Sequence, residues 1–274
     1  MPHFAGVPAS LAVHTRWLRL AVDGQEVPAM VSHPAWSGES PPGELPIRPW
    51  LLWMHGRTVR KEIDPGRFQR LLRAGIATVS VDLPGHGERL EAWAQEPSNT
   101  LQVVDQMIGE IDGVVDAVHA LGGFDLERMA LGGMSAGGMV TLARLCRPHR
   151  FSAAVVECTT GSWRWQPNVL RGNPGLLERW NPIGHLDGWR PIPLLALHNR
   201  HDEWVALEGQ EEFLSALRAR YTDPSLVELH VYERTGAPYE HAGFGKMGAD
   251  AKDRVARFVA ERLVSGTRPG SANS

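Results

Sequence analysis

The stretch RMALGGMSAGGMV, Arg128 to Val140, sets one serine, Ser135, among four glycines. Apolar residues lead into it and out of it, so the segment reads as a buried strand that turns at once into a helix. A side chain at Gly133 or Gly137 would collide across so sharp a turn, and the flanking Gly132 and Gly138 let strand and helix pack closely. The serine is left at the crest, on strained backbone angles, with its Oγ beside the positive end of a helix starting near Ala136. A Gly-rich phosphate cradle uses the same residue types. The pattern Gly133-Met134-Ser135-Ala136-Gly137 takes its meaning from the strand before it and the helix after it, the context that a G-x-S-x-G elbow requires.

Working outward, short apolar runs alternate with longer helical patterns. PWLLWMHG (49–56), ATVSVDLPG (77–85), the run into Ser135, FSAAVVECT (151–159), IPLLALHNR (192–200) and VELHVYERT (227–235) read as six strands. Several are apolar on both faces, as strands of a parallel sheet covered on both sides must be. Leu101, Val104, Ile108, Ile111, Val115 and Val118 fall at helical spacing, with Ser98 to Thr100 as caps and Gly122 as a stop. Met247, Ala251, Val255, Val259 and Leu263 make a second such face. WLRLAV and EVPAMVSHP around DGQ predict an antiparallel hairpin at one edge. The expected fold is α/β, a mostly parallel, doubly wound sheet of about eight strands with helices on both faces.

The 274 residues, 43% hydrophobic and 22% charged, suit a single domain over 1–274. A net charge of −3 offers no basic excess, which excludes the simplest attraction to nucleic acid or to an acidic membrane surface. Cys146 and Cys158 are too few for a disulfide framework, no signal-peptide pattern opens the chain, and no apolar run approaches the roughly 20 residues that span a bilayer. A cytoplasmic location is expected. The segments SGESPPGELP (37–46) and SGTRPGSANS (265–274) read as a loop and a fraying tail.

In doubly wound sheets ligands sit beyond the carboxyl ends of the strands, and the chemistry-bearing residues of this chain fall at those ends. A serine hydroxyl needs a base, and the base needs an orienting acid. Asp202, in the loop after IPLLALHNR, is the candidate acid, with Glu203 its rival. His241, in the glycine-rich loop YERTGAPYEHAGFG, is the candidate base. His230 falls inside a strand, while His198 and His201 flank the acid loop, where an H-x-x-H spacing without a third ligand is a weak metal signal. No metal site is expected. Loss of one oxyanion donor costs about 3 to 4 kcal/mol in other hydrolases. The candidate donors are the backbone N–H groups of Arg57, after His55-Gly56, and of Ala136.

His55-Gly56, DLPGHGER (Asp82 to Arg89), GMSAG, the Asp202 loop and His241, in the chain order Ser, Asp, His, resemble the α/β-hydrolase superfamily over about residues 49–263. Within it the chain looks like the single-domain serine esterases related to dienelactone hydrolase and to the catalytic domains of prolyl oligopeptidases. Dienelactone hydrolase itself carries cysteine where this chain has Ser135. The resemblance implies a serine hydrolase acting on a small-molecule carboxylic ester through an acyl-enzyme, with no metal or organic cofactor. A peptidase, thioesterase or acyltransferase on the same residues, or a catalytically silent binding module, are the alternatives.

Between the fourth and fifth parallel strands the stretch 159–190 exceeds what the sheet needs and is expected to form a small cap or lid. Its tryptophans Trp163, Trp165, Trp180 and Trp189, together with Trp204 beside the acid, are candidates for an apolar substrate pocket; docking of the cap on the core would use the same residues. Nothing in the sequence sets the oligomeric state.

Overall fold

The computed structural model describes residues 6–37, 45–167 and 171–264. The tail expected at 265–274 and most of the loop expected at 37–46 lie outside the described residues. Eight strands, β1 Thr15–Val22, β2 Gln25–Ser32, β3 Arg48–Met54, β4 Ala77–Val81, β5 Phe124–Met134, β6 Ala153–Glu157, β7 Leu194–Asn199 and β8 Val227–Tyr232, form one sheet in the order β1-β2-β4-β3-β5-β6-β7-β8. β2 runs antiparallel to β1 and β4, and all other pairs are parallel. The hairpin read from WLRLAV and EVPAMVSHP is β1 and β2.

Among the described residues, the α-helices longer than four residues are α1 Pro65–Arg73, α2 Thr100–Ala120, α3 Ala136–Leu145, α4 Pro174–Trp180, α5 Leu207–Arg218 and α6 Gly248–Leu263. The period-2 pattern of β3 shows why two layers of helix are needed. Trp50, Leu52 and Met54 join one core cluster with α2, α3 and α5, while Leu51 and Trp53 join a second with α1 and α6. α2 presents Leu101, Val104, Ile108, Ile111, Val115 and Val118 to the first cluster, on the spacing read from the sequence. Its start differs in chemistry from that expectation. Asn99 occupies the N-cap position without a side-chain cap bond; its amide donates instead to Trp93 O, and Thr100 Oγ1 donates to Pro97 O.

The strand order turns at β3. β4 lies on one side of it and β5 on the other, which opens a crevice between the diverging connections at the carboxyl end of the sheet. Into that crevice run the loops after β3, β5, β7 and β8.

The long connection from β6 to β7 contains a 3-10 turn Trp163–Trp165, α4, and two further turns, Pro182–Gly184 and Leu186–Gly188. Trp163, Trp180 and Trp189 are buried in the first core cluster, which fastens this segment to the body of the protein. Trp163, Trp180 and Trp189 therefore correct the expectation of a substrate pocket at those three positions. Trp163 is 0% exposed and donates from Nε1 to Thr160 O; Trp180 is 8% exposed and donates to Asp105. Each indole N–H has found a partner within the protein, and the ring surface is spent on packing.

Candidate active site

β5 ends at Met134, and Ser135 follows with φ 52° and ψ −116°, a backbone state that L-residues other than glycine avoid. The turn is locked from three sides. Ser135 N–H donates to Glu157 O at 2.9 Å, while Ser135 O accepts from Met139 N–H at 2.9 Å and from Thr159 Oγ1 at 2.8 Å. The close approach also demands the glycines. A Cβ on Gly133 would lie 2.4 Å from Gly137 C, and one on Gly137 would lie 2.3 Å from Met54 O.

His241 reaches this serine from the loop after β8. Its Nε2 lies 3.0 Å from Ser135 Oγ, and its Nδ1 lies 3.0 and 2.8 Å from the two carboxylate oxygens of Asp202. An ionised carboxylate only accepts, so the proton sits on Nδ1 and Nε2 is left free to accept from the serine. The Asp202 carboxylate is wholly shielded from solvent and is aimed by its own turn: Oδ1 also accepts from the N–H groups of Trp204 and Val205 at 2.9 and 2.8 Å. Glu203 is exposed, and its N–H donates to Tyr239 O. The structure thus brings Ser135, His241 and Asp202 together and leaves the Glu203 side chain outside.

The other histidines are engaged elsewhere. His198 is buried, donates from Nε2 to Val205 O at 2.9 Å, and is pushed below its ordinary pKa by burial, against the raising effect of that bond. His230 packs edge-on against Tyr232 on β8 and is also lowered by burial. His201 is exposed. Among the described residues no group of three or more His, Cys, Asp or Glu is arranged to hold a metal ion.

The loop after β3 lies against Ser135, where a Cβ on Gly56 would be 3.4 Å from Ser135 Cβ. Arg57 follows, and Ala136 is the first residue of α3, so its N–H has no partner within the helix. His55 holds the loop in place: Nδ1–H donates to Gly56 O at 2.6 Å, and Nε2 accepts from Leu83 N–H at 3.0 Å. With both nitrogens committed to backbone, His55 braces the loop after β3 and has no free position for acid or base work.

Beneath this loop lies a buried ionic cluster that the sequence reading missed. Lys61 Nζ donates to Asp82 Oδ2 at 2.9 Å and to Glu88 Oε1 at 2.5 Å, and stands 3.1 Å from Glu62. Asp82 also accepts from the N–H groups of Lys61 and Glu88. Burial works against its ionisation; the Glu88 N–H and the Lys61 ammonium work for it and hold its carboxyl well below the usual range. The signal was present in DLPGHGER, whose Asp82 begins the loop and whose Glu88 closes it. The Arg57 guanidinium lies against the same wall and donates to Gln95 O; burial lowers its pKa, against the opposing pull of Glu96.

Of the remaining pocket candidates, Trp165 is 39% exposed and donates from Nε1 to Glu212 at 2.8 Å. Trp204 is 53% exposed and lies over His241, ring centroids 4.8 Å apart.

The model of the prolyl oligopeptidase family matches residues 63–264, more than half of the chain. No curated protein matches the sequence. Among solved structures, a Mycobacterium tuberculosis puromycin-hydrolyzing peptidase superposes with a TM-score of 0.72 at 21% identity, over 95% of this chain and 41% of that one. TT1662 from Thermus thermophilus gives 0.68 at 22%, over 91% and 98%. A Pyrococcus horikoshii acylaminoacyl peptidase gives 0.69 at 16%, over 93% and 42%. The chain thus spans about two fifths of the two peptidases and nearly all of TT1662. The elbow, the sheet and the family match converge: this chain belongs to the prolyl oligopeptidase family of α/β-hydrolase-fold serine hydrolases.

Proposed function

We propose that Ser135, His241 and Asp202 act as a catalytic triad that cleaves carboxylic esters through an acyl-enzyme. The observation that carries this reading is the continuous hydrogen-bond path from Ser135 Oγ through His241 to Asp202, closed by distances of 3.0 and 2.8 Å. Ser135 Oγ attacks the carbonyl carbon as its proton passes to His241 Nε2, and Asp202 offsets the charge of the imidazolium. The carbonyl oxygen becomes an oxyanion facing the N–H groups of Arg57 and Ala136. Return of the proton to the leaving group completes acylation, and water activated by the same histidine releases the acid.

Peptide bonds are the second reading, and the family match favours it, since relatives of this fold are named as peptidases. The two share every step up to the departure of the leaving group, which must be protonated as an amine in one case and as an alcohol in the other. Two free, buried cysteines, Cys146 and Cys158, favour work in a reducing compartment.

A fluorophosphonate probe should label wild-type protein at Ser135 and leave Ser135→Ala unlabelled, with the variant folded by circular dichroism and inactive. The ester and the anilide of one acyl group, assayed in parallel, then rank the two bonds. Failure of the wild type to label or to turn over either substrate defeats the hydrolase reading.

A further inference from the structure

Trp204 and Tyr239 stand beside the catalytic histidine with their rings in the open. They are 53% and 54% exposed, and their centroids are 4.9 Å apart at an interplanar angle of 28°, a stacked pair. Trp204 lies against His241, ring centroids 4.8 Å apart and planes tilted by 39°. Tyr239 covers Trp204 in turn, so the two rings step outward from the imidazole.

Both rings are held by built backbone. The Trp204 N–H is fixed to Asp202 Oδ1. Tyr239 and Glu240 both have positive φ, 56° and 46°, in a region that favours glycine. The turn is clamped by Glu240, whose carboxylate accepts from Thr235 N–H, Thr235 Oγ1 and Gly236 N–H, each at 2.8 Å. Asn199 Nδ2 holds Glu240 O at 2.6 Å, and Glu203 N–H holds Tyr239 O. Shielding the imidazole accounts for Trp204 alone. The Tyr239 ring lies beyond it and gains little burial, so a strained turn sustains an aromatic surface that the fold itself does not cover.

We propose that Trp204 and Tyr239 form a leaving-group subsite that receives a flat aromatic ring on the departing alcohol or amine. The proposal rests on the hydrolase reading above and deepens it. In acylation the bond from the carbonyl carbon to the leaving oxygen or nitrogen breaks, its electron pair stays on that atom, and the atom takes the proton held at His241 Nε2. The acyl group remains on Ser135. The departing part of the substrate is therefore the part brought next to the imidazole, and a ring on it finds the adjoining shelf. Aromatic rings stack in offset or tilted arrangements on such surfaces.

The test uses acetate esters of two alcohols of similar acidity, 2-phenylethanol and 1-butanol, and reads the ratio of their kcat/KM values. Both pass through the same acetyl-enzyme, so the ratio isolates the leaving group. Tyr239→Ala should lower the preference for the phenylethyl ester about five- to ten-fold, and Tyr239→Phe should keep it, because the ring and not the hydroxyl makes the contact. An unchanged ratio in Tyr239→Ala, equal loss in Tyr239→Phe, or a preference that follows an aromatic acyl group in ethyl 3-phenylpropanoate overturns the subsite. Fluorophosphonate labelling of Ser135 separates the two levels: a protein that labels without leaving-group preference loses only the subsite, and one that does not label loses the hydrolase reading with it.

Discussion

At the scale of single residues, position separates groups that chemistry cannot. Asp202 and Glu203 are adjacent carboxylates, yet only the first is shielded from solvent and bonded to His241 Nδ1. The carboxylate fixes the tautomer that leaves Nε2 free; an amide in its place favours the wrong one, at a cost of about 10⁴ in kcat in a comparable triad. Asp202→Asn should lose several orders of magnitude in kcat with a modest change in KM, and Glu203→Gln should stay within a few-fold of wild type on the same neutral ester. Comparable rates for the two variants would remove Asp202 from the acid role. The choice of Asp202 was legible in the sequence from its place just after an apolar run. Tyr239 was not legible, because its exposure depends on two successive positive φ angles that nothing in GAPYEH announces. The buried tryptophans were misread for a different reason: an indole packed in a core and an indole lining a pocket are the same letter, and burial alone tells Trp163 from Trp204.

Among the elements, the strands and their order of use were readable because apolar runs and helical spacing are local. Their ends were less so. FSAAVVECT, IPLLALHNR and VELHVYERT each read longer than β6, β7 and β8, since a run of residues shows apolarity but not where pairing stops. β8 gives out at Tyr232, where its register with β7 ends opposite Asn199. β4 stops at Val81 because the next residue, Asp82, is drawn into the Lys61 and Glu88 contacts. β5 begins earlier than read, at Phe124, through an irregular step against β3 between Arg48 and Trp50 that polar residues disguise. The turn from β5 to α3 carries the sharpest constraint. In Gly137→Ala the new methyl would lie 2.3 Å from Met54 O and 2.7 Å from His55 O, both backbone atoms that cannot swing aside. Overpacking of this kind costs about 1–3 kcal/mol, occasionally more. The variant should unfold at lower denaturant concentration, and the displaced loop after β3 should lower kcat beyond what lost stability explains. Wild-type stability and rate in Gly137→Ala would mean that the elbow is looser than the structure shows.

For the molecule as a whole, the buried cluster under the loop after β3 ties stability to pH. Asp82 has a folded pKa held below its unfolded value of about 3.9, so its contribution is present above that value and is lost as pH falls through it toward the folded one. Urea midpoints should therefore decline from about pH 5 downward in wild type. Asp82→Asn should start lower at pH 7, by about 3 kcal/mol or more for a broken buried pair, and decline less steeply. Parallel curves would show that other carboxylates govern acid unfolding. The hydrogen bond between Ser135 and His241 has a further consequence, for it joins residues 106 positions apart. On the ribosome Ser135 emerges long before His241, and Asp202 comes between them. On the proposed mechanism a growing chain lacks its base until the loop after β8 has been synthesised and seated, so the first turnover of a newborn molecule would report that the last strand of the sheet is in place.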